Sequence, residues 1–319
     1  MTPPPRWKLI LAFAAVYTIW GSTYLAIRFA VETLPPFLMS GVRFTIASAI
    51  MLGIARAQGA VWPTRRQWRG AAIVGVLLLL GGNGGVTWAE QYIPSGLTAL
   101  LIATVPLWMV LMDWLRPGGV RPTARVFGGV FLGLVGLVLL VGPDTLTGNS
   151  GMYGLGVLAV LLAAFSWAAG SIYGGRAELS RAPLMGSGAQ MLCGGLALTL
   201  GGLLLGEPAR VNLDAASTRS LLAVLYLIIF GSLAGYTAYS WLLQNAPPAK
   251  VATYAYVNPV VAVFLGWALA GEALNAQMLA GAAITVAAVA IITTYRRRPR
   301  RPRRQPQVAA QEACAEVGD

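Results

Sequence analysis

The sequence has few charged residues, no histidine and only two cysteines, and each shortage argues against a class of function. Charged residues make up 11% of the 319 residues, whereas hydrophobic residues make up 57%. A soluble domain is about one quarter charged, so this composition indicates a membrane protein rather than a cytosolic enzyme, a nucleic-acid-binding protein or a disordered chain. The lack of histidine removes the commonest catalytic base and metal ligand. Cys193 and Cys314 lie too far apart to form a metal-binding motif, so we expect no cofactor and no metal.

Long apolar stretches run through most of the chain. A membrane-spanning helix needs about 20 consecutive, mostly apolar residues. Ten stretches meet this requirement: 8–29, 37–56, 70–88, 94–115, 124–142, 152–174, 184–206, 220–242, 249–270 and 275–294. The first is too long for a signal peptide, so we expect it to be retained. The pattern predicts an all-α integral membrane protein with ten transmembrane helices.

Lysine and arginine are distributed unevenly between the two ends of these helices. If the N-terminus is cytoplasmic, 19 of the 23 basic residues fall on the cytoplasmic side. Ten spans then return the C-terminus to the same side. The net charge of +12 is therefore mainly a signal of topology. The basic tail 295–319 is interpreted as a stop-transfer signal and an anchor to lipid headgroups, and nucleic acid is not an expected partner.

The chain resembles itself at an offset of 153 residues. Tryptophan, glutamine and proline residues recur in the same order in both halves; the first copy is Trp88, Gln91, Pro94, Pro106 and Trp114, and the second is Trp241, Gln244, Pro247, Pro259 and Trp267. The predicted units are an N-terminus 1–7, a first five-helix repeat 8–142, a linker 143–151, a second five-helix repeat 152–294 and the tail. Because five is odd, the second copy is inverted in the membrane, an arrangement typical of secondary transporters.

Prolines interrupt the fourth and ninth helices at equivalent points, Pro106 and Pro259. A proline inside a helix frees a carbonyl group, and paired breaks of this kind point to a binding site, although a packing kink is an alternative. Neutral polar and aromatic side chains lie near the breaks or at matching depth. The predicted substrate cavity contains Trp20, Ser22, Tyr24, Asn83, Glu90, Thr104, Trp167, Tyr256 and Asn258. Each of them alone is also compatible with a hydrogen bond between helices.

Arg43 is the charged residue that lies deepest in a predicted span. A charge within the membrane is a functional hypothesis by default. We expect Arg43 to form a gating ion pair with Glu90 or to anchor a substrate carboxylate. No pair of buried carboxylates is visible in the sequence, which gives no support for proton coupling.

Several short motifs resemble those of one transporter family. They span 19–24, 41–44, 94–96, 103–107 and 255–260, with sequences IWGSTY, GVRF, PSG, ATVPL and AYVNPV. In order and spacing they resemble the EamA family of the drug/metabolite transporter superfamily, and most closely its YedA-like inner-membrane exporters. The resemblance covers about residues 9–294. It implies ten helices in two inverted repeats around a central cavity, a place in the cell inner (plasma) membrane, and export of amino acids, other metabolites or drugs.

The sequence therefore predicts a secondary transporter, an exporter of small amphipathic, amino-acid-like metabolites or drugs that works by alternating access. Two alternatives stay open, an integral-membrane enzyme acting on lipid and a channel. The first lacks a nucleophile motif and clustered carboxylates, and the second lacks a ring of like residues. The expected partners are a small-molecule substrate and the lipid bilayer. Glycine-rich fifth and tenth helices allow a homodimer as well as packing within one chain.

Overall fold

The computed structural model of the chain describes residues 5–115, 122–141, 151–212, 214–246, 251 and 253–294. Nearly all of the predicted linker 143–151 and all of the predicted basic tail 295–319 lie outside these ranges. Within the described ranges the regular structure is entirely helical, as the composition predicts.

One helical rod corresponds to each apolar stretch predicted from the sequence. The rods are α1 (Arg6–Ala30), α2 (Pro36–Ala57), α3 (Arg65–Ala89), α4 (Ser95–Leu115), α5 (Ala124–Val141), α6 (Gly151–Gly174), α7 (Pro183–Leu204), α8 (Thr218–Tyr226, Leu227–Ala234 and Gly235–Asn245), α9 (Tyr254–Ala270) and α10 (Ala276–Thr294). In the described residues, seven helices are long and apolar enough to cross a membrane, and α5, α9 and α10 contain shorter apolar helices. The predicted all-α, multi-pass membrane architecture is confirmed.

The rods turn large apolar side chains outwards. On α6, the side chains of Leu155, Leu158, Leu162 and Phe165 are between 46% and 60% exposed. Their spacing places them on one face of the helix. An apolar stripe of this length has no favourable place in water, whereas lipid chains cover it without cost. This face of α6 is therefore lipid-facing.

Consecutive rods run in opposite directions, so the bundle has two ends. We call the end where α1 begins the terminal face and the other end the far face. At the terminal face, Arg66 at the start of α3 lies 3.9 Å from Glu178, which follows α6. At the far face, Arg219 at the start of α8 lies 3.7 Å from Glu32, which follows α1. These contacts join segments of the first half to segments of the second.

Two helix pairs pack with their backbones close together. A Cβ atom added to Gly195 of α7 would lie 3.0 Å from the backbone nitrogen of Thr45 in α2. A Cβ atom added to Gly136 of α5 would lie 3.0 Å from the backbone nitrogen of Thr285 in α10. Small residues allow this close approach. The van der Waals contact that results helps to hold the helices together, because the hydrophobic effect does not drive helix association in lipid. In this structure α5 and α10 therefore pack against each other within one chain.

The rods α3 and α8 each contain a π-helical segment, Val76–Gly84 and Leu227–Ala234. A π segment departs from the regular α-helical bonding pattern, and such segments are found frequently at functional sites. Ser166 of α6 donates a hydrogen bond to the carbonyl of Leu77 at 2.7 Å. Trp20 of α1 donates from its indole nitrogen to the carbonyl of Gly231 at 3.2 Å. Each irregular segment is thus bonded to a helix of the other half.

The indole rings of Trp20 and Trp167 lie against glycines of the same two rods. A Cβ atom added to Gly82 would lie 2.8 Å from Cε3 of Trp167, and one added to Gly235 would overlap the indole of Trp20. Close packing leaves no room for an extra methyl group without movement of the ring. Gly82 and Gly235 therefore fix the positions of the two tryptophans.

Glu207 joins α7 to α2 at the far face. Its carboxylate oxygens accept hydrogen bonds from the backbone N–H groups of Phe37 at 3.2 Å and Leu38 at 2.8 Å. These N–H groups belong to the first turn of α2, where helical partners are missing. Gly206, with φ of 72°, makes the sharp turn that brings Glu207 to this helix end.

Glu272 joins α9 to α4 in the same way. It accepts hydrogen bonds from the backbone N–H of Ser95 at 2.7 Å, the hydroxyl of Ser95 at 2.7 Å and the backbone N–H of Gly96 at 2.9 Å. Gly271, with φ of 65°, precedes it. Two glutamates therefore fasten the far face, each through the positive end of a helix dipole.

Replacing Gly235 by alanine should displace the Trp20 ring and destabilise the protein by about 1–3 kcal/mol, the usual cost of overpacking. The measurement is thermal unfolding in detergent, together with the tryptophan emission spectrum. Gly53 of α2 provides the matched control because a Cβ atom there meets nothing within 4 Å. If Gly53→Ala and Gly235→Ala unfold at the same temperature, the proposed contact has no energetic effect.

Replacing Glu272 by glutamine should lower stability by about 2 kcal/mol, because hydrogen bonds to charged groups contribute about 1.5–3 kcal/mol. The amide keeps the shape of the side chain but turns one acceptor into a donor facing N–H groups. Thermal unfolding compared with Glu32→Gln measures the effect, since the Glu32 side chain is 39% exposed. Equal melting temperatures for the two variants would contradict the role given to Glu272.

Candidate functional site

A cavity of about 450 Å³ lies in the middle of the bundle. Side chains from both halves line it, and they belong to α1, α2, α3, α4, α6, α8 and α9. Eight of the residues predicted from the sequence are among them: Trp20, Tyr24, Arg43, Asn83, Pro106, Trp167, Asn258 and Pro259. The structure therefore brings most of the predicted site residues to one cavity.

Aromatic rings form one wall of this central cavity. The ring centre of Trp20 lies 5.4 Å from that of Tyr236, 5.0 Å from that of Tyr239 and 5.2 Å from that of Tyr254. These distances are typical of favourable edge-to-face and tilted contacts. The three tyrosines come from α8 and α9 and were not among the predicted site residues. Tyr236 and Tyr239 are spaced to share one face of α8, which was the available signal.

Arg43 is the one basic residue that lines the central cavity in the described part of the chain. It is 3% exposed. Its Nε donates a hydrogen bond to the hydroxyl of Ser232 at 3.1 Å, and its guanidinium lies 4.5 Å from the ring centre of Phe44. Its Nη1 has no hydrogen-bond partner among the described atoms. A buried arginine nitrogen with an unused N–H can donate a hydrogen bond to a carboxylate oxygen of a solute.

Two amide side chains line the central cavity and are held by bonds within the bundle. The side-chain oxygen of Asn83 accepts a hydrogen bond of 3.3 Å from the hydroxyl of Thr87. The side-chain amide of Asn258 is oriented so that its nitrogen faces two carbonyl groups. In this orientation it donates to the carbonyl oxygens of Tyr17 and Tyr254, each at 3.2 Å. Both amides are therefore positioned before a solute arrives.

The two predicted breaks differ in form. The helix of α4 stops at Ile102 and resumes at Val105, and the buried hydroxyl of Thr104 in this gap donates to the carbonyl of Leu101 at 2.6 Å. Pro259 instead lies inside the continuous helix of α9. Both Pro106 and Pro259 line the central cavity.

Three predicted residues stand apart from this wall. Ser22 shares a hydrogen bond of 2.6 Å with the hydroxyl of Tyr226, and Thr104 is fully buried beside the cavity wall. Glu90 is also fully buried. Neither Ser22, Thr104 nor Glu90 is among the described residues that line the cavity. Tyr256 lies on α9, but its side chain is outside the described set.

The predicted ion pair between Arg43 and Glu90 is not formed in this conformation. Among the described residues, both carboxyl oxygens of Glu90 and Nη1 of Arg43 lack hydrogen-bond partners. Arg28 lies next to Glu90 instead and donates from Nη1 to its backbone carbonyl. The sequence placed Arg43 and Glu90 at similar depth, but Arg43 turns towards Ser232 of α8.

A second cavity, of about 400 Å³, lies at the far face. We call it the far cavity. Its lining combines charged and aromatic groups with apolar ones: Arg28, Phe29, Glu32, Tyr92, Ile93, Pro94, Tyr153, Arg219, Ala270 and Glu272. It was missed from the sequence because its charged residues lie near helix ends, where charge is ordinarily explained by contact with water.

The sequence and fold match known transporters. The profile of the EamA-like transporter family matches residues 6–142 and again residues 154–294. The chain is 39% identical to the inner membrane transporter YedA of Escherichia coli K12, over 88% of this chain and 89% of that protein. It is 25% identical to the transporter YoaV of Bacillus subtilis, over 91% of this chain and 99% of that protein.

A solved crystal structure shares the fold, with a TM-score of 0.62 and 22% identity, and it covers 90% of this chain and 97% of its own. The relatives are named as transporters, which supports the prediction that the chain is not an enzyme. A multi-pass helical bundle, a central cavity and the match of the family profile to both halves lead to one conclusion: the chain belongs to the EamA-like transporter family of the drug/metabolite transporter superfamily.

Proposed function

We propose that the protein is a secondary transporter that exports a small amphipathic, amino-acid-like metabolite or drug by alternating access. The observation that carries this proposal is the central cavity, in which the unused Nη1 of Arg43 lies among aromatic walls. A solute with one carboxylate and an apolar or aromatic body suits such a lining, because the arginine binds the carboxylate and the rings pack on the body.

The size and charge of the cavity support this substrate class. A volume of about 450 Å³ is in the range of ordinary small-molecule sites. One buried guanidinium balances one carboxylate, whereas a phosphate ester carries more negative charge than this lining neutralises. The side chains of Asn83 and Asn258 supply the neutral hydrogen-bonding groups that orient a solute.

Ten transmembrane helices in two inverted repeats, bounded at 8–142 and 152–294, are part of the proposal. The double match of one family profile supports the duplication. The π segments of α3 and α8 support it too, since Val76–Gly84 and Leu227–Ala234 fall at corresponding points of the two halves. The paired contacts of Trp167 with Gly82 and of Trp20 with Gly235 also support the duplication.

Inversion of the repeats is supported by the ion pairs at the two ends of the bundle. Arg66 and Arg219 are 153 positions apart, at the starts of α3 and α8, and each faces a glutamate that follows the first helix of the other half. One pair lies at the terminal face and the other at the far face. Two copies that exchange conformations would open the central cavity to one face and then to the other.

We place both termini in the cytoplasm and the protein in the inner membrane, with the far face outside. The distribution of basic residues and the name of the YedA relative support this orientation. The described conformation is then fastened on the outer side by Glu207 and Glu272. The cavity is complete within one chain, so a homodimer would be an addition to the mechanism and not a part of it.

Counterflow in proteoliposomes tests the carrier function. Vesicles are preloaded with the pooled, unlabelled 20 common amino acids at equal pH inside and outside, and each labelled amino acid is then offered outside. A carrier accumulates its label transiently, whereas a channel does not concentrate it and an enzyme changes its covalent structure. No accumulation of any label by folded protein would contradict the amino-acid-like substrate class.

Replacing Arg43 by glutamine should reduce counterflow of the preferred amino acid about ten- to a hundredfold, the value of one or two charge-assisted hydrogen bonds. The protein should still reach the membrane and elute as a single species. The matched control is Arg56→Gln, since Arg56 lies on the same helix, is exposed, and donates from Nη1 to the nearby carbonyl of Ala60 at 2.6 Å.

A second comparison separates carboxylate binding from a general loss of function. The amide derivative of the same amino acid should compete poorly with the label in the wild type, and as well as the free acid in Arg43→Gln. If Arg43→Gln transports like Arg56→Gln, Arg43 is not the carboxylate anchor.

A further inference from the structure

Glu90 is a buried carboxyl group that has no bonding partner. It is 0% exposed, and both of its carboxyl oxygens lack hydrogen bonds among the described residues. Burying an ionised carboxylate without compensation costs several kcal/mol, whereas the neutral acid is far easier to bury. The central cavity, as described above, makes no use of this group.

Glu90 lies in the partition between the two cavities. Val86, one helical turn before it, lines the central cavity, and Ile93, three residues after it, lines the far cavity. The same division holds on α1, where Tyr24 lines the central cavity and Arg28 the far cavity. A group at this position can exchange with both spaces when the partition moves.

Charged and titratable groups approach Glu90 from three other elements. On α1, Tyr24 lies within electrostatic reach of its carboxyl group, and Arg28 donates to its backbone carbonyl. After α9, Glu272 acts on the same carboxyl group. On α6, which packs against Gly85–Ala89, Tyr153 reaches this end of the bundle.

The balance of these groups favours a bound proton. Glu90 lies just beyond the apolar span Arg65–Ala89. Burial raises the pKa of its carboxyl well above the usual range, Glu272 raises this pKa further, and Arg28 lowers it. On α2, Arg43 bonds to Ser232 and forms no ion pair with Glu90.

We propose that Glu90 is a proton-binding site that couples transport to a proton gradient, with the far cavity as its outer access and the central cavity as its inner access. The proposal rests on the alternating-access function proposed above. When the far face opens, the carboxylate takes a proton from water in the far cavity. When the partition reverses, the O–H bond breaks and the proton passes to water in the central cavity, which regenerates the carboxylate.

The direction of the pH effect follows from this linkage. The neutral acid belongs to the described conformation, in which Glu272 fastens the far face. Low pH therefore favours this conformation. As the pH rises through the pKa of Glu90, the carboxyl group loses its proton and the described conformation becomes less populated. It is replaced by a conformation with an open far cavity, in which water reaches the carboxylate.

Accessibility of the far cavity tests the proposal without any substrate. Ala270 lines this cavity and is replaced by cysteine in a background carrying Cys193→Ala and Cys314→Ala. The reaction rate with a membrane-impermeant maleimide is measured across pH in proteoliposomes, for otherwise wild-type protein and for Glu90→Gln, which mimics the protonated acid. Because both proteins carry the same thiol, its own ionisation cancels in the ratio of their rates.

We expect this ratio, the wild-type rate divided by the Glu90→Gln rate, to rise about tenfold as the pH increases through the pKa of Glu90, since one proton shifts the equilibrium by at most about tenfold per pH unit. Asp214→Asn is the matched control, because Asp214 is an exposed carboxylate in the connection between α7 and α8 at the same face. The reaction rate of this control, divided by the wild-type rate, should not change with pH. If the ratio of the wild-type rate to the Glu90→Gln rate does not change with pH, the proposal is overturned. If Glu90→Gln does not elute as a folded species, Glu90→Met replaces it.

Transport supplies the second measurement. A pH-sensitive dye trapped in the vesicles reports proton movement when the pooled 20 amino acids are added outside. Glu90→Gln should keep counterflow and lose proton movement, whereas Asp214→Asn should keep both. Proton movement that is equal in wild type and Glu90→Gln would overturn the proposal. Absent counterflow in the wild type, with a thiol ratio that still depends on pH, would instead count against the carrier function alone.

Discussion

Every backbone N–H and C=O group at membrane depth needs a partner inside the protein, and this constraint organises the structure. Regular helices meet it by themselves, and the π segments of α3 and α8 receive additional bonds from other helices. Ser166 donates to the carbonyl of Leu77 and Trp20 to the carbonyl of Gly231. In each case the donor comes from the other half of the chain. The irregular segments therefore join the two halves.

The same bonds create the central cavity. Trp20 must lie close to α8 to reach the carbonyl of Gly231, and Gly235 leaves room for its ring there. Once fixed, this ring orders Tyr236, Tyr239 and Tyr254 around it. A solute then meets a preformed aromatic wall. The free energy of binding is therefore not reduced by the entropic cost of ordering these rings. The hydrogen bond to α8 and the aromatic wall of the proposed substrate cavity thus depend on a single side chain.

Much of this arrangement could be predicted from the sequence. Helix positions follow from hydropathy, because a span of apolar residues has few other structures available in lipid. Trp20, Asn83, Trp167 and Asn258 meet in one cavity as expected, since polar and aromatic groups at matching depth are drawn to a common interior. The role of Ser22 was less accessible, because its bond to Tyr226 depends on how α1 is rotated about its axis.

Two features left no signal in the sequence. A π segment adds one residue to a turn without changing composition, so neither Val76–Gly84 nor Leu227–Ala234 was expected. The contact of Glu272 with Ser95 joins residues 177 positions apart. This distance also explains why no neighbouring carboxylates were apparent: Glu90 and Glu272 approach each other only when α9 packs against α4.

The separation of Arg43 from Glu90 is the clearest sign that the bundle is built for more than stability. Each carries an unused polar atom in a buried place, and joining them would relieve both costs. A chain selected only for a stable bundle would pair them or replace both by apolar residues. The proposed roles need this separation, with Arg43 free to bind a solute carboxylate and Glu90 free to bind a proton. The energetic cost of two unpaired groups is then the condition under which either can bind something else.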